Sequence, residues 1–443
     1  MGNLTKKNII LYGISNFGWS LAFYTVNNLL NYFYFPNIED GANMFPIFIP
    51  KGSTIIGLTF LGVIIAFGRI VDAFTDPVIA SISDRSERKM GKRRFFMLIS
   101  AFPTALFGCL AFYPPFIKTT FSNGYYLLII LLFYYISLTM YVVPCSALVG
   151  ELGDTKEDRL NLSTVSSVGW AMGFALGSTI YSIQTVFENS GYTSMRAFQF
   201  AIVVLSVISF LTMFIPAYFI KEKNHKQSLK ISIWASLREV VSNKNLRLFL
   251  ISEMAYWFAL TFIQTGISYY TVSLLGLNKS FATVAMMILF LVSFVFYIPI
   301  NLIVRRIGKK NTILIGYIIL GITFVFVIFL GKVNIAPKLQ VIIVSLVAAM
   351  PIGIFGILPF AIIGDLAESD GQETNNYKIG VFYGLRGIFM KIGTSMAGLL
   401  FPTVIVLGMG EINQFGIRMT GVFGIVFCII GFIFMTQFKE KIK

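Results

Sequence analysis

The six residues Ala147-Leu-Val-Gly-Glu-Leu152 return later in the chain as Ala361-Ile-Ile-Gly-Asp-Leu366. A second pair of related stretches, Arg88-Lys-Met-Gly-Lys-Arg-Arg94 and Arg305-Arg-Ile-Gly-Lys-Lys310, has nearly the same separation of about 215 residues. Short basic stretches around a glycine recur by chance, but two pairs at one offset indicate an internal duplication. The sequence therefore predicts two halves of similar structure.

The composition predicts that these halves lie in a membrane. Of the 443 residues, 56% are hydrophobic and only 12% are charged, and the mean hydropathy is +0.79. A soluble protein carries about 25% charged residues, so the chain is expected to cross a membrane several times. No cleavable signal peptide is expected, because the short polar start leads directly into a long apolar run.

Apolar runs of about 20 residues can cross a bilayer as helices. Twelve such runs are predicted, near 9–35, 54–83, 95–114, 125–151, 161–186, 197–220, 247–275, 281–304, 311–331, 339–366, 378–407 and 415–437. The longest hydrophilic segment, 221–246, is predicted as a cytoplasmic linker between an N-terminal bundle, 1–220, and a C-terminal bundle, 247–443. Two parallel six-helix bundles of this kind describe an all-α integral membrane architecture, the major facilitator fold.

The net charge of +15 reflects topology rather than an affinity for nucleic acid. Most of the 35 Lys and Arg residues lie in segments that the predicted spans place on one side of the membrane. By the positive-inside rule this side is the cytoplasm, and it holds both termini. We therefore predict a multi-pass protein of the cell membrane (plasma or inner membrane) that contacts the lipid bilayer, binds no nucleic acid and is a monomer.

Two aspartates lie inside the second predicted span, in the stretch Gly68-Arg-Ile-Val-Asp-Ala-Phe-Thr-Asp-Pro77. A charge at the bilayer centre costs about 2.5–3.5 kcal/mol on insertion scales, so such residues usually have a function. Asp72 and Asp76 are four residues apart and Arg69 precedes Asp72 by three, so all three share one helix face. Such carboxylates could hold a proton or a cation. The alternative is an Arg–Asp pair that only fixes helix packing.

Polar residues also follow one face of the first predicted span. They are Asn16, Ser20, Tyr24, Asn27, Asn28 and Asn31. Because unpaired amides are costly in lipid, this face should either line a cavity or bond one helix to another. In the fifth span, Gly169, Gly173 and Gly177 predict close helix packing, while Trp170 could contact a substrate.

In the second half, Glu253, Trp257 and Gln264 lie within one stripe of the seventh predicted span. Glu253 could be an interfacial residue, whereas Trp257 could stack on a ligand. The eleventh span contains Arg386 and Lys391. An uncompensated ammonium is costly there, so Lys391 is expected either to pair with the aspartates of the second span or to contact an anionic substrate. The sequence contains no recognisable nucleotide loop, metal-ligand cluster or nucleophile–base set, so neither an enzyme nor a cofactor is expected.

Several of these stretches resemble the glycoside–pentoside–hexuronide:cation symporter family. The matching residues are Tyr12-Gly13, Phe17-Gly18, Arg69, Asp72-Ala73, Asp76-Pro77, Asp84, Gly91-Lys92, Pro144, Asp154, Arg159 and Lys391-Ile-Gly393. The resemblance implies that Asp72 and Asp76 bind the coupling cation, Na⁺ or H⁺, together with the hydroxyl of Thr139. It implies that Lys391 lies near this cation site, and the helix spacing makes Arg69 a second charge partner. No metal other than a coupling Na⁺ is expected. The resemblance and the loop charges predict a conformational gate at Asp84, Arg85, Gly91 and Arg159.

The chain departs from this family at the sugar site. The family's charged sugar-binding positions in the first, fourth and fifth helices correspond to Ser20, Val142 and Ser167. We therefore predict a cation-coupled symporter of a small organic solute, a sugar or glycoside, that works by alternating access and binds its substrate through uncharged residues. The candidate substrate-binding residues are Asn16, Ser20, Tyr24, Asn27, Asn28, Trp170, Trp257 and Gln264. The alternatives are a lysophospholipid symporter of the same fold and a non-transporting membrane receptor.

Overall fold

A computed structural model describes residues 5–36, 38–39, 42–43, 45–55, 57–84, 86, 90–153, 156–220, 243–374, 379–407 and 412–440. The helices in this part of the chain are α1 (Lys6–Tyr34), α2 (Phe60–Asp84), α3 (Lys92–Leu110), α4 (Phe121–Leu152), α5 (Lys156–Ser178), α6 (Ile180–Asn189), α7 (Ser194–Phe219), α8 (Lys244–Tyr269), α9 (Ser280–Val295), α10 (Tyr297–Phe329), α11 (Pro337–Thr374), α12 (Ile379–Ile405) and α13 (Gln414–Gln437). A π-helical segment, Tyr270–Leu274, extends α8. Two antiparallel hairpins, β1 (Ile38–Glu39) with β2 (Ala42–Asn43) and β3 (Ser53–Ile55) with β4 (Leu58–Thr59), precede α2.

Nine helical segments among the described residues are long and apolar enough to cross a membrane. They comprise α1, α3, α4, α7, α8 with its π-helical extension, α10, α11, α12 and α13. The three other predicted spans correspond to α2, to α5 followed by α6, and to α9 followed by the start of α10. Each of the twelve predicted spans thus overlaps a helix of the structure, but the boundaries differ, and the second, fifth and eighth spans show why.

The second predicted span, 54–83, begins at Phe60 rather than at residue 54. The residues before it form a hairpin in which Ser53–Ile55 pairs with Leu58–Thr59. The turn includes Gly57, whose φ of +78° is a backbone conformation that favours glycine. Hydropathy counted these apolar strand residues as part of the helix, because it records composition and not hydrogen-bond pattern.

The fifth predicted span, 161–186, is interrupted at Thr179, which separates α5 from α6. The hydroxyl of Ser178 donates to the carbonyl of Ala175 at 2.7 Å, and the hydroxyl of Thr179 donates to the carbonyl of Leu176 at 2.7 Å. Ser and Thr hydroxyls that bond to nearby carbonyls compete with the backbone N–H groups of the helix. The consecutive Ser–Thr pair therefore accounts for the break.

The eighth predicted span, 281–304, is interrupted at Phe296, between α9 and α10. Helix α10 then continues past residue 304 into the ninth predicted span. Its backbone changes direction at Gly308, where φ is +83° and ψ is 167°. The boundary between the eighth and ninth spans thus lies at a glycine rather than at a break in hydropathy.

The chain divides into two compact units, Met1–Gln227 and Ser228–Lys443. The division falls within the predicted linker 221–246, of which 221–242 lies outside the described residues. Helix α8 begins at Lys244, three residues before the predicted start of the seventh span at 247.

The same pairs of helices pack together in each unit. In the first unit, α1 packs against α5 and α7, α3 against α4 and α7, and α2 against α4. In the second unit, α8 packs against α12 and α13, α10 against α11 and α13, and α9 against α11. This repetition is what an internal duplication of six helices produces.

The glycines of α5 allow it to pack closely against α1. A Cβ atom at Gly173 would lie 2.5 Å from the carbonyl oxygen of Phe17 and would also overlap the hydroxyl of Ser20. One turn later, a Cβ atom at Gly177 would overlap the ring of Tyr24. Small residues at such positions let two backbones approach within a membrane. The structure therefore agrees with the packing interpretation of these glycines.

The two related basic stretches bind the end of the last helix in their own unit. Arg94, which follows Gly91, donates from Nε to the carbonyl of Ala217 at 3.1 Å and from Nη2 to the carbonyl of Tyr218, at the end of α7. Lys310 donates from Nζ to the carbonyl of Thr436 at 2.7 Å, at the end of α13. The last carbonyls of a helix lack intrahelical partners and carry partial negative charge, so a cation stabilises them.

Glu440 adds a second connection in the C-terminal unit. Its Oε1 accepts from the backbone N–H of Lys309 and its Oε2 from that of Lys310, both at 3.0 Å. These N–H groups belong to the first residues of α10 after Gly308. The positive φ of Gly308 turns the backbone so that both N–H groups point towards the carboxylate. Asn245 holds the same segment by two hydrogen bonds to the backbone of Lys439. The C-terminal segment is therefore fastened to α8 and α10.

We expect Glu440→Ala to lower the free energy of unfolding by about 1–3 kcal/mol, because two backbone N–H groups lose a charged acceptor. The thermal unfolding midpoint in detergent measures this loss. Glu440→Gln keeps one side-chain oxygen and should lose less. An alanine variant as stable as the wild type would contradict this role of Glu440.

Candidate functional site

Helices α2 and α4 bring Asp72 and Thr139 together in the first unit. Asp72 is 5% exposed and Thr139 is 2% exposed. The hydroxyl of Thr139 donates to Oδ1 of Asp72 at 2.5 Å. Hydrogen bonds to a carboxylate are shorter and stronger than bonds between neutral groups. The contact joins two residues that the family resemblance had assigned to the same site.

Thr75 lies beside this pair and was not identified from the sequence. Its hydroxyl donates to the backbone carbonyl of Asp72 at 2.9 Å and lies 3.4 Å from the hydroxyl of Thr139. The spacing Asp72–Thr75 places both on one face of α2, and this signal could have found it. Asp76 follows on α2 and is half-buried. Carboxylate and hydroxyl oxygens of this kind are suitable ligands for a hard cation.

Arg69 is buried between aromatic rings on the same side of α2. Its guanidinium carbon lies 5.3 Å from the ring centre of Phe23 on α1 and 6.0 Å from that of Tyr135 on α4. Cation–π attraction acts over such distances. The hydroxyl of Tyr135 donates to Oδ1 of Asn27 at 2.7 Å. Tyr135, also missed from the sequence, therefore connects the polar face of α1 to the charged face of α2.

The N-terminal part of the α1 polar face contacts α5. Asn16 accepts at Oδ1 from Nε1 of Trp19 at 3.0 Å and from the hydroxyl of Ser166 at 2.7 Å. Its Nδ2 donates to the carbonyl of Tyr12 at 2.8 Å. The fully buried hydroxyl of Ser20 donates to the carbonyl of Trp170 at 2.9 Å. The bonds with Ser166 and Trp170 join α1 to α5, as the helix-bonding alternative expects.

Further along α1, the other predicted substrate residues have different surroundings. Tyr24 is buried, with its ring centre 5.3 Å from that of Phe174. Trp170 is half-buried and lies against the same phenylalanine, at 4.1 Å between ring centres. Asn28 donates from Nδ2 to the carbonyl of Tyr24 at 3.4 Å. The side chain of Asn27, on the same polar face, contacts α4 by accepting a hydrogen bond from the Tyr135 hydroxyl. The substrate role of these residues stays a prediction.

The second unit contains a buried ion pair that the sequence analysis did not identify. Nη2 of Arg386 on α12 lies 2.5 Å from Oε1 of Glu253 on α8, and the two residues are 7% and 2% exposed. Nε1 of Trp257 donates to the same Oε1 at 3.3 Å. The guanidinium carbon also lies 3.9 Å from the ring centre of Phe360. The sequence did contain a signal for this pair, because two predicted spans of the second half carry a carboxylate and a guanidinium, whose charges have opposite signs.

The remaining predicted residues are less constrained by the structure. Lys391 is half-buried on α12, and its pairing with the aspartates of α2 stays a prediction. Gln264 is buried on α8. Of the gate residues, Gly91 precedes α3 with φ of +110°. The side chains of Asp84 and Arg159, and the whole of Arg85, lie outside the described part of the chain.

Residues 11–439 match the family model described as MFS/sugar transport protein. The isoprimeverose transporter of Lactiplantibacillus pentosus is 28% identical over 317 residues, which cover 70% of this chain and 61% of that protein. The inner membrane symporter YicJ of Escherichia coli (strain K12) is 25% identical over 282 residues, which cover 63% of this chain and 56% of that protein. The matched part thus spans less than two thirds of the length of these relatives.

Among solved structures, a D-xylose-proton symporter superposes with a TM-score of 0.66 at 14% identity, over 98% of this chain and 97% of that chain. A likeness at this identity shows the fold alone, and it confirms the predicted major facilitator fold. The family model covers nearly the whole chain. The chain therefore belongs to the MFS/sugar transport protein family, whose members are multi-pass membrane transporters and not enzymes.

Proposed function

We propose that the protein is a cation-coupled symporter that carries a sugar or glycoside across the cell membrane by alternating access. The observation that carries the proposal is the buried hydrogen bond from Thr139 on α4 to Asp72 on α2. A carboxylate at such depth is rarely retained without a function in ion or substrate transport. The family description and the relative that transports isoprimeverose support a sugar as the substrate.

The coupling ion, Na⁺ or H⁺, binds at Asp72 and Asp76 with the hydroxyl of Thr139 as a further ligand. A bound cation neutralises a carboxylate that is otherwise costly in a medium of low dielectric constant. Arg69, buried beside the same helix face, offsets this charge when the cation leaves. Lys391 is the second charge partner in this proposal. Binding of the ion therefore changes the net charge on this face of α2, and this change of charge couples ion binding to transport.

The substrate contacts are mostly uncharged. Asn27, Asn28 and Gln264 can donate to and accept from sugar hydroxyls, and Trp257 or Trp170 can stack on a ring. Neutral hydrogen bonds are roughly half as strong as those with one charged partner, so modest substrate affinity is expected. Asn16, Ser20 and Tyr24 would support the substrate face from behind, since their described contacts are to α5 and its neighbours.

The remaining parts of the proposal concern topology. Both termini lie in the cytoplasm, the protein works as a monomer, and the linker joins two six-helix bundles. The cytoplasmic gate consists of Asp84, Arg85, Gly91 and Arg159. Charges in this loop form different contacts in different states of the transport cycle, as alternating access requires.

Uptake by the reconstituted protein tests the function. Proteoliposomes are offered a panel of radiolabelled pentosides, hexosides and hexuronides, with an inward Na⁺ gradient, an inward proton gradient or neither. We expect accumulation of at least one glycoside with only one of the two gradients. Binding of a lysophospholipid without binding or uptake of any sugar would overturn the sugar proposal, and uptake that ignores both gradients would overturn the coupling.

We expect Thr139→Val to weaken binding of the coupling cation about 10-fold, because the isosteric methyl group removes the hydroxyl oxygen that we propose as a ligand of the cation. A 10-fold loss corresponds to about 1.4 kcal/mol. Thr139→Ser keeps the hydroxyl and serves as the matched control. The cation concentration that gives half-maximal uptake measures the effect. If the valine and serine variants have equal cation dependence, Thr139 is not part of the ion site.

A further inference from the structure

We infer that Glu253 and Arg386 form a hydroxyl-binding site in the second unit, at which the transported sugar is recognised through one of its hydroxyl groups. The inference rests on the proposed function and adds two charged residues to a substrate site otherwise composed of amides and aromatic rings. It concerns the contacts within the unit Ser228–Lys443 only.

The ion pair is incomplete in a specific way. Glu253 and Arg386 touch through one contact, Nη2 to Oε1 at 2.5 Å, although a carboxylate and a guanidinium can form two parallel bonds. Among the described residues, the other carboxylate oxygen, Oε2 of Glu253, has no hydrogen-bond partner, and neither has Nε of Arg386. Both atoms are buried. The ion pair therefore has one acceptor, Oε2 of Glu253, and one donor, Nε of Arg386, that form no hydrogen bond in the described structure.

A purely structural role does not explain this arrangement. A buried ion pair stabilises a protein only if its geometry is good and its remaining polar atoms are bonded. Well-packed apolar residues of similar volume are often as stable or more stable. Charged residues inside membrane helices are also costly and usually functional. An incomplete pair on two spanning helices thus indicates that another group completes it.

The chemistry of the two vacant atoms selects a hydroxyl. A hydroxyl can donate to Oε2 of Glu253 and accept from Nε of Arg386 at the same time. A cation would satisfy the carboxylate but would be repelled by the guanidinium, and an anion would be repelled by the carboxylate. A proton on Glu253 would leave Nε of Arg386 without an acceptor and its charge uncompensated. A neutral group that both donates and accepts fits both atoms.

The neighbouring residues on α8 extend the site along one face. Glu253, Trp257 and Gln264 are separated by four and seven residues, which return to the same side of a helix. Nε2 of Gln264 is likewise buried without a hydrogen-bond partner in the described structure. The face therefore presents an acceptor, an indole ring and an amide donor in succession. A sugar presents hydroxyls at its edges and apolar C–H groups on its faces, which suit this order.

Trp257 bonds to the ion pair and is the most exposed of these three residues of α8. It is half-buried, whereas Glu253 and Gln264 are buried. Its bond to Oε1 of Glu253, at 3.3 Å, is long for an N–H···O bond, whose usual length is about 2.9–3.0 Å. The indole can therefore rotate away from Glu253 at a small cost in free energy. Phe360, whose ring centre lies 3.9 Å from the guanidinium carbon, keeps Arg386 in place.

The test replaces the pair by apolar residues of similar volume, as Glu253→Leu with Arg386→Met. This double variant leaves no unpaired charge, so it is expected to fold as stably as the wild type. The probe is the glycoside that is best transported in the reconstituted panel. We expect its KM to rise about 10-fold, while the cation concentration for half-maximal uptake stays unchanged.

Monodeoxy analogues of the same glycoside identify the contact. One analogue should bind about 10-fold more weakly than the parent sugar to the wild type, and equally well to the double variant. The matched control is Ser252→Ala with Tyr317→Phe, which removes a buried hydrogen-bonded pair next to Glu253 and should leave both measurements unchanged. Should the apolar double variant not fold, Arg386→Lys keeps the charge but loses the planar second donor, and the same rise in KM is expected.

An unchanged KM together with unchanged discrimination among the analogues would overturn the inference and leave a structural ion pair. Loss of accumulation with normal KM and normal exchange would also overturn it, because the pair would then serve ion coupling. If the wild type itself takes up no sugar, the proposed function fails. Uptake by the wild type with no effect of the variants contradicts this inference alone.

Discussion

Asp72→Asn is expected to abolish accumulation of substrate against its gradient while leaving the protein folded in the membrane. The amide has nearly the same volume and its oxygen can still accept the hydrogen bond from Thr139. It lacks the negative charge, so a cation loses its main electrostatic stabilisation in a medium of low dielectric constant. Breaking a buried charge interaction commonly costs about 3–5 kcal/mol, which corresponds to more than 100-fold in cation affinity.

The measurement compares two modes of transport in the same proteoliposomes. Gradient-driven uptake requires the ion, whereas exchange of labelled for unlabelled substrate does not require net ion movement. We expect Asp72→Asn to lose the first mode, and Asp76→Asn to behave alike. Glu188→Gln, at the end of α6 and away from this site, is the control and should accumulate substrate normally. Full accumulation by both aspartate variants would contradict the assignment of the cation site.

Gly173→Ala is expected to destabilise the first unit by about 1–3 kcal/mol, and Gly173→Val to prevent its folding. The added Cβ atom would overlap the Ser20 hydroxyl and lie 2.5 Å from the carbonyl oxygen of Phe17. The backbones of α1 and α5 cannot both stay in place, and overpacking of this kind typically costs that much. Substitution at the packing face also displaces Ser20 and Trp170, which bond across the same contact.

Gly321→Ala provides the matched control for this packing effect. It is also a glycine within a long apolar helix, α10, but a Cβ atom there meets nothing within 4 Å. Alanine has the higher helix propensity by about 1 kcal/mol, so this variant should be as stable as the wild type or slightly more stable. The stability of both variants is measured by the thermal unfolding midpoint and by monodispersity in detergent. Equal midpoints for Gly173→Ala and Gly321→Ala would refute the close contact between α1 and α5.

The spanning helices were predictable because hydropathy acts on each segment separately. A run of apolar residues long enough to cross a bilayer must satisfy its backbone internally, so it is helical whatever its neighbours are. The boundaries at Phe60, Thr179 and Gly308 were not predictable in this way. They depend on a hairpin, on two hydroxyls that bond to carbonyls, and on a positive φ angle, none of which changes the average hydropathy.

The residues of the candidate site were likewise predictable only where a single helix was enough to identify them. Asp72 was conspicuous because its charge is costly wherever the second span lies in the membrane. Thr75 and Tyr135 were missed because hydroxyl groups are common in membrane helices and only their contacts distinguish them. Asn16 and Ser20 were predicted to face a substrate, and the structure shows the bonds that they form with α5.

The sequence by itself determined the transmembrane character and the candidate carboxylates of the second span, since both follow from the free energy of placing a segment in lipid. It also determined the duplicated halves, since two pairs of related stretches lie at one offset. Only the tertiary structure decided which side chains meet: Thr139 with Asp72, Tyr135 with Asn27, and Arg386 with Glu253. These pairs join residues that are far apart in the chain, and their partners are selected by helix packing, to which small residues such as Gly173 contribute. The periodicity of the sequence cannot predict these partners, because it describes one helix at a time.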